Sequence, residues 1–192
     1  TIPVAGKLKT QHTPSLSWLE RLAIAYQADG TLMNSSSNDF TGTGYRFHFK
    51  RLDKIERLEE ILSHVDVKYS KYICEDASTR IDIPKQGLTL VKDFSWVNFE
   101  AISYPWIREF IDELMNWDGS RSNDMLRFVT TNPDCYNVVM ALGVMANYRC
   151  GVYKAETSAG NPAWTINLVD RPFVNGRSIE KTLEPYCGTV YS

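Results

Sequence analysis

Two aspartates, Asp29 and Asp118, each precede a glycine at the end of an apolar stretch, 89 positions apart. The first stretch, residues 22–30, reads Leu-Ala-Ile-Ala-Tyr-Gln-Ala-Asp-Gly, and the second, residues 110–119, reads Phe-Ile-Asp-Glu-Leu-Met-Asn-Trp-Asp-Gly. The last turn of a helix already presents unsatisfied carbonyls and the negative end of the macrodipole, so a carboxylate placed there is stabilised by a cation. Two such ends packed side by side would bring Asp29 and Asp118 together with nearby carbonyls. That is a hard oxygen site of the sort magnesium occupies, with water and phosphate oxygens completing the shell. In phosphodiester cleavage, ions held there would activate a water and stabilise the leaving oxygen. A single Asp-Gly pair after an apolar helix is ordinarily a turn. Two at matching places of a repeat carry more weight.

The elements that must position this pair also come in two copies. Residues 45–49, Tyr-Arg-Phe-His-Phe, answer residues 126–130, Leu-Arg-Phe-Val-Thr, at an offset of 81. The register then holds, matching Leu58, Ile61, Val65, Val67 and Tyr72 with Val139, Leu142, Ala146, Tyr148 and Tyr153. Ser17 and Glu20 have capping-box spacing ahead of the first helix, and Gly30 suits a left-handed position after it. Ser103 or Tyr104 ahead of Pro105 opens the second such helix, which Gly119 closes. Ala23, Ala25 and Ala28 permit close helix packing, whereas Phe110, Leu114 and Trp117 make the partner bulkier. Strict alternation predicts a strand over 45–50, followed by an amphipathic helix over 53–64 and strands near 67–74 and 79–83. The second copy predicts a strand at 125–131, a helix at 133–146 and strands at 149–155 and 164–168. Residues 34–44 form a polar loop that extends a hairpin or remains mobile.

This pattern predicts an α+β fold of two half-domains, residues 15–85 and 103–185, joined by a linker at 86–102 and related by an approximate two-fold axis. Helices covering one face of each antiparallel sheet leave the other face free. On that face we expect Arg46, His48, Lys50, Arg80, Arg127, Arg149 and Lys154. They form either an ordinary solvated surface or a track along a phosphate backbone. His48 is read as a solvated strand residue rather than a catalytic base, and Trp18, Trp96, Trp106 and Trp164 as packing residues rather than base-stacking platforms.

Composition narrows the remaining classes. With 192 residues and 43% hydrophobic content the chain can bury one large core or two small ones. Cys74, Cys135, Cys150 and Cys187 are scattered, and only His12, His48 and His64 could join them, so a zinc site is not expected and reduced thiols in a cytoplasm fit best. No apolar run suits a membrane span, and residues 1–12 lack the apolar stretch of a secretion signal. The chain starts without Met, as a piece of a longer protein would. A net charge of −2 weighs against a nucleic-acid partner on total charge, although distribution matters more.

These residues resemble the LAGLIDADG homing endonucleases in their single-chain form with two motif copies. Residues 22–30 look like a drifted first motif and 111–119 like the second, and the order of elements resembles the family's αββαββα half over roughly residues 15–170. Residues 92–97, Lys-Asp-Phe-Ser-Trp-Val, followed by Ile102-Ser103, resemble the linker of endonuclease domains carried within inteins. Residues 186–191 resemble the point where an intein's splicing domain resumes. The resemblance implies antiparallel sheets forming a DNA-binding saddle with the motif helices at its centre. It implies Asp29 and Asp118 as metal-binding catalytic acids, aided by the carbonyls of Ala28 and Trp117. It further implies Lys92 as a lysine supporting the hydrolytic water, with Lys181, or Arg177 behind it, as its counterpart. The family often has a glutamine-like residue near the end of the early strand, where this chain has Phe49 or Lys50 in one half and Thr130 in the other. No Cys, Ser or terminal Asn stands in a splicing position, so the chain by itself is not expected to splice.

The expected activity is that of a monomeric, magnesium-dependent endonuclease that reads a long asymmetric site on double-stranded DNA and leaves 3′ overhangs. Manganese is expected to substitute, and calcium to support binding without cleavage. A non-cleaving nucleic-acid-binding protein of the same fold, an RNA maturase or a decayed endonuclease, is the alternative. A structural scaffold within an intein is a third.

Overall fold

The structure is a computed structural model that describes residues 2–3, 15–34, 43–85, 87–157, 159–170 and 173–174. Its elements run β1 (Ile2–Pro3), α1 (Trp18–Asp29), β2 (Thr31–Asn34), β3 (Thr43–Phe49), α2 (Leu52–Val65), β4 (Ser70–Ile73), β5 (Thr79–Pro84), α3 (Tyr104–Trp117), β6 (Gly119–Ser122), β7 (Met125–Thr130), α4 (Pro133–Met145), β8 (Arg149–Glu156), β9 (Pro162–Val169) and β10 (Phe173–Val174). Two antiparallel four-stranded sheets have the same strand order, β2-β3-β5-β4 and β6-β7-β9-β8, while β1 pairs with β10. No helix among the described residues is long and apolar enough to cross a membrane.

Alternation in the sequence decides which sheet face meets the helices. In the first sheet Tyr45 faces Ile83 and Phe47 faces Ile81, all fully or almost fully buried. In the second, Leu126 faces Leu168 and Phe128 faces Ile166. Phe47 and Phe128 are both wholly buried, and each contributes about 1.5–3 kcal/mol by leaving water. Leu58 and Ile61 on α2, and their equivalents Val139 and Leu142 on α4, are also inaccessible, so the 81-residue register survives as matching core positions.

The helix starts follow the local signals. Ser17 accepts from the backbone of Glu20, whose carboxylate accepts in turn from the Ser17 backbone at 2.7 Å, closing the capping box. Ser103 caps α3 by accepting from Trp106 N at 3.2 Å, with Pro105 in the first turn.

The helix ends differ from expectation. Gly30 is extended (φ −77°) rather than left-handed, and Gly119 is not left-handed either. In both halves the chain leaves the helix straight into a strand, β2 or β6, that the sequence patterning did not reveal. Glycine is required there by proximity: a Cβ on Gly30 would lie 2.9 Å from Tyr26 Cα, and one on Gly119 would lie 2.6 Å from Met115 Cα. Each clash falls on the residue four positions earlier, so the two turns are built alike.

The segment between the halves is packed rather than free. Phe94, Val97 and Ile102 are buried, Phe94 meets Phe110 edge-on at 5.1 Å, and Trp106 stacks on Phe110 at 5.3 Å. Residues 87–103 form turns, two of them closed by side chains as Asp93 accepts from Ser95 N and Asn98 from Glu100 N. Trp18, Trp96, Trp106 and Trp164 all make ring contacts with other side chains of the chain; Trp106 is buried, the other three are half-buried, and Trp18 stacks on the exposed His64.

Candidate metal centre at the paired helix ends

Helices α1 and α3 pack together and deliver Asp29 and Asp118 to the same end of the pair. Burial pushes the Asp118 carboxyl above its ordinary range, and the nearby Asp29 charge pushes it further, while Lys54 and Lys92 oppose the shift. The charge of Asp29 therefore reaches Asp118 through a part of the molecule that water screens poorly.

Two lysines supply positive charge where the helix ends need it. Lys54, from α2, donates to Asp29 Oδ2 at 2.5 Å. Lys92 donates to the carbonyls of Tyr26 at 3.0 Å, Gly30 at 2.8 Å and Ala28 at 3.5 Å, across the C-terminus of α1. Burial holds its ammonium below the usual lysine range, against the pull of Asp118 and Asp29. The donor set, two carboxylates and main-chain carbonyls, fits a hard divalent cation, and Ala28 and Trp117 are the residues immediately before the acids. Lys181 and Arg177 lie outside the described residues.

The surroundings of the two acids are unequal. Asp118 lines a cavity of about 510 Å³ together with Gln27, Ala28, Lys92, Val129, Thr130, Thr131, Asn132, Thr157 and Ala163. Gln27 is 7% exposed and its Oε1, among the described residues, has no hydrogen-bond partner. In the first half, Phe49 occupies the place of Thr130 and packs against the Trp117 ring at 5.9 Å. Lys54 lies over the same Phe49 ring at 6.0 Å, where the second half has Cys135. Asp29 is thus held by an ammonium that itself lies over Phe49, whereas Asp118 lines a cavity with Lys92, Gln27, Thr130, Thr131 and Asn132.

A buried ion cluster fixes the helices that carry the acids. Glu113 on α3, 1% exposed, accepts from Arg21 on α1 at 3.0 Å, from Arg57 Nε on α2 at 3.1 Å and from Trp117 Nε1 at 2.9 Å. Arg57 Nη2 makes a further bond to it. Both guanidiniums also lie over the Trp18 ring, at 5.3 and 5.6 Å. Arg21 reaches Glu109 at 2.5 Å as well.

The basic sheet faces are only partly as expected. Arg46, His48 and Arg80 share the face of the first sheet turned away from the helices, because His48 pairs with Arg80 and Arg46 with Asp82 in register. Asp82 binds Arg46 through both carboxylate oxygens, at 2.8 and 3.0 Å, and Arg80 at 3.3 Å, while Arg80 stacks on Tyr72 at 4.4 Å. Lys50 lies just past β3 and pairs with Asp76 at 3.0 Å. In the second sheet Arg127 and Arg149 share the outer face, through the register Met125↔Val169↔Arg149. Lys154 does not. It pairs with Trp164, which stacks on Tyr136 of α4, so Lys154 stands on the helix-bearing side. Residues five apart on a strand point to opposite faces, and Cys150 and Val152 are the ones in register with core residues Leu168 and Ile166.

Reading the sequence missed Lys54, Glu113, Gln27 and Asn132. Glu113 carried a signal, since it interrupts the apolar stripe Phe110, Leu114, Trp117 at helical spacing. Lys54 had none, because its link to Asp29 spans 25 residues and depends on how α2 lies on α1.

No family model matches this chain. Over 211 residues it is 29% identical to the ribonucleoside-diphosphate reductase subunit beta of Aquifex aeolicus (strain VF5), covering 100% of this chain and 29% of that protein. The chain therefore spans less than a third of the curated relative it matches. Among solved structures it is similar to I-DmoI in complex with DNA and calcium, with a TM-score of 0.58 at 14% identity, covering 79% of this chain and 82% of that one. A mesophilic variant of the homing endonuclease I-DmoI gives 0.57 at 15%, covering 79% and 87%. Full-length DUF199/WhiA from Thermatoga maritima gives 0.53 at 13%, covering 81% and 53%. The two sheets and four helices are the two-half-domain LAGLIDADG fold.

Proposed function

We propose that this chain is a site-specific, metal-dependent endonuclease acting on double-stranded DNA. The observation that carries the reading is the meeting of Asp29 and Asp118 at adjacent helix ends, close enough for one charge to raise the proton affinity of the other. In this reading the two carboxylates and the carbonyls of Ala28 and Trp117 hold magnesium, or manganese in its place. A divalent ion so held supplies an activated water and stabilises the leaving oxygen. Lys92 contributes positive charge beside the scissile phosphate and steadies the carbonyls of α1. Lys181 is assigned the matching role in the second half. Gln27, whose side chain lines the Asp118 cavity, orients a water there. Arg46, His48, Lys50, Arg80, Arg127 and Arg149 line the faces that meet the duplex, some reading base edges and others holding phosphates.

The partial match to a reductase subunit, combined with a homing-endonuclease fold, supports an endonuclease domain inserted within a host protein, the intein arrangement. A plasmid bearing the uninterrupted reductase coding sequence is the substrate to test. Cleavage with magnesium, binding alone with calcium, and loss of cutting but not of binding in Asp29→Asn and Asp118→Asn are expected. Intact plasmid at every protein concentration would reject the proposal.

A second reading, a non-cleaving DNA- or RNA-binding protein, is favoured by one contact. Lys54 already neutralises Asp29, as an ion would. If this lysine replaces the metal, Lys54→Met exposes a cation site that the wild-type chain does not offer, and terbium luminescence appears only in the variant.

A further inference from the structure

A second group of metal-ligating side chains lies well outside the helix ends, at the edge of the first sheet. His48 near the end of β3 meets the turn between β4 and β5, where Cys74 and Asp76 stand two residues apart. One donor atom from each of His48, Cys74 and Asp76 lies within 4.8 Å of the other two. We propose that these three residues form a binding site for a single borderline, thiophilic divalent cation of the zinc class.

The donor set itself argues for that class. Imidazole nitrogen, thiolate sulfur and carboxylate oxygen together suit zinc or cobalt, whereas magnesium and calcium favour all-oxygen shells. Three protein ligands leave one tetrahedral position for water. At zinc bond lengths of about 2.0–2.3 Å the donors must approach to roughly 3.5 Å from one another, a closure of about 1 Å that side-chain rotation supplies.

The backbone holds the ligands ready. Cys74 N donates to Ser78 O at 2.8 Å and Ala77 N to Cys74 O at 3.0 Å, closing a tight turn in which Ala77 is left-handed (φ 59°). Ser78, 1% exposed, donates its hydroxyl proton to Asp76 and therefore accepts from His48 Nε2, at 2.5 Å. With Ser78 as its acceptor Nε2 keeps its proton, so ligation through Nδ1 retains this bond as an outer-shell contact and ligation through Nε2 replaces it. The competing cation is weakly held: Lys50 pairs with Asp76, but both side chains are at least half exposed, and such pairs contribute little. Arg46 and Arg80 on the same face are both engaged by Asp82. The other described thiols are unsuited, since burial pushes Cys135 up to about 12 and Cys150 up to about 11.

Cobalt is the probe. Titrating the intact chain is expected to give thiolate-to-cobalt charge-transfer absorption saturating at one equivalent, with zinc displacing it. Cys74→Ser should abolish the band, and His48→Ala should weaken cobalt binding at least tenfold. Cys187→Ser and the Asp29→Asn, Asp118→Asn double variant should both retain it, which separates this site from the helix ends. Circular dichroism checks that each variant is folded. No charge-transfer band in the wild-type chain, or one that persists in Cys74→Ser, would overturn the assignment.

Discussion

Replacing Glu113 by Gln tests whether the buried ion cluster sets α1 and α2 against α3. The substitution preserves shape but leaves the Arg21 and Arg57 guanidiniums facing a neutral amide. Removing one partner of a buried pair costs about 3–5 kcal/mol. Because the two arginine side chains remain 16% and 21% exposed, water recovers part of their solvation, and we expect the low end, about 3 kcal/mol. For a chain of this size that lowers Tm by about 6–12 °C. Urea unfolding monitored by tryptophan fluorescence reads the free energy directly. Glu109→Gln is the control, since that carboxylate is 34% exposed and its pair with Arg21 contributes about 1 kcal/mol or less. The deficit also has a pH signature. Burial pushes Glu113 up, but the bonds from Arg57, Arg21 and Trp117 outweigh it and hold the carboxyl below its ordinary range. Its contribution is therefore complete above the unfolded carboxylate pKa and disappears as pH falls through the folded value, where wild type and variant should converge. A Glu113→Gln chain within 1 kcal/mol of wild type at neutral pH, or no weaker than Glu109→Gln, would refute this account of the helix interface.

The helix-end site yields further expectations. Asp118 has its proton affinity raised in the folded state, so its charge destabilises the fold at neutral pH, and that loss is recovered as pH falls through the folded pKa. Asp118→Asn should accordingly raise Tm at pH 7, with the gain shrinking in acid; thermal melts across pH check the sign. Gly119→Ala forces a methyl group against Met115 Cα and should lower stability by about 1–3 kcal/mol, measured by urea unfolding. On the proposed endonuclease reading, the Lys54 ammonium held between Asp29 and Phe49 slows chemistry at that acid, so supercoiled target plasmid should pass through an open-circular form before linearising, and Phe49→Thr should shorten that interval on agarose gels.

Much of the architecture was legible because local rules and the duplication agreed. The capping box at Ser17, the Ser103-x-Pro105 start of α3 and the alternation of Tyr45, Phe47 and Phe49 each specify an element through contacts only a few residues apart. The short strands after Gly30 and Gly119 were not legible, since Thr31–Asn34 and Gly119–Ser122 gain their strand character from pairing with β3 and β7. Gly30 was misread for a related reason. Its need for glycine comes from the chain turning back over Tyr26, a steric fact absent from backbone preferences.

By itself, the sequence determined that two similar halves exist, that each has an apolar helix ending in Asp-Gly, and which residues alternate toward the core in strands such as 45–49, because those properties follow from periodicity within one segment; the same alternation already separates Lys154 from Arg149. Only the tertiary structure decided that Lys54 lies on Asp29, that Lys92 spans the carbonyls of α1, that Glu113 gathers two arginines, and that Arg127 and Arg149 share a face. Those arrangements join residues from different elements, or depend on strand register, and the packing angles and hydrogen-bond ladders that set them have no counterpart in the order of residues along the chain.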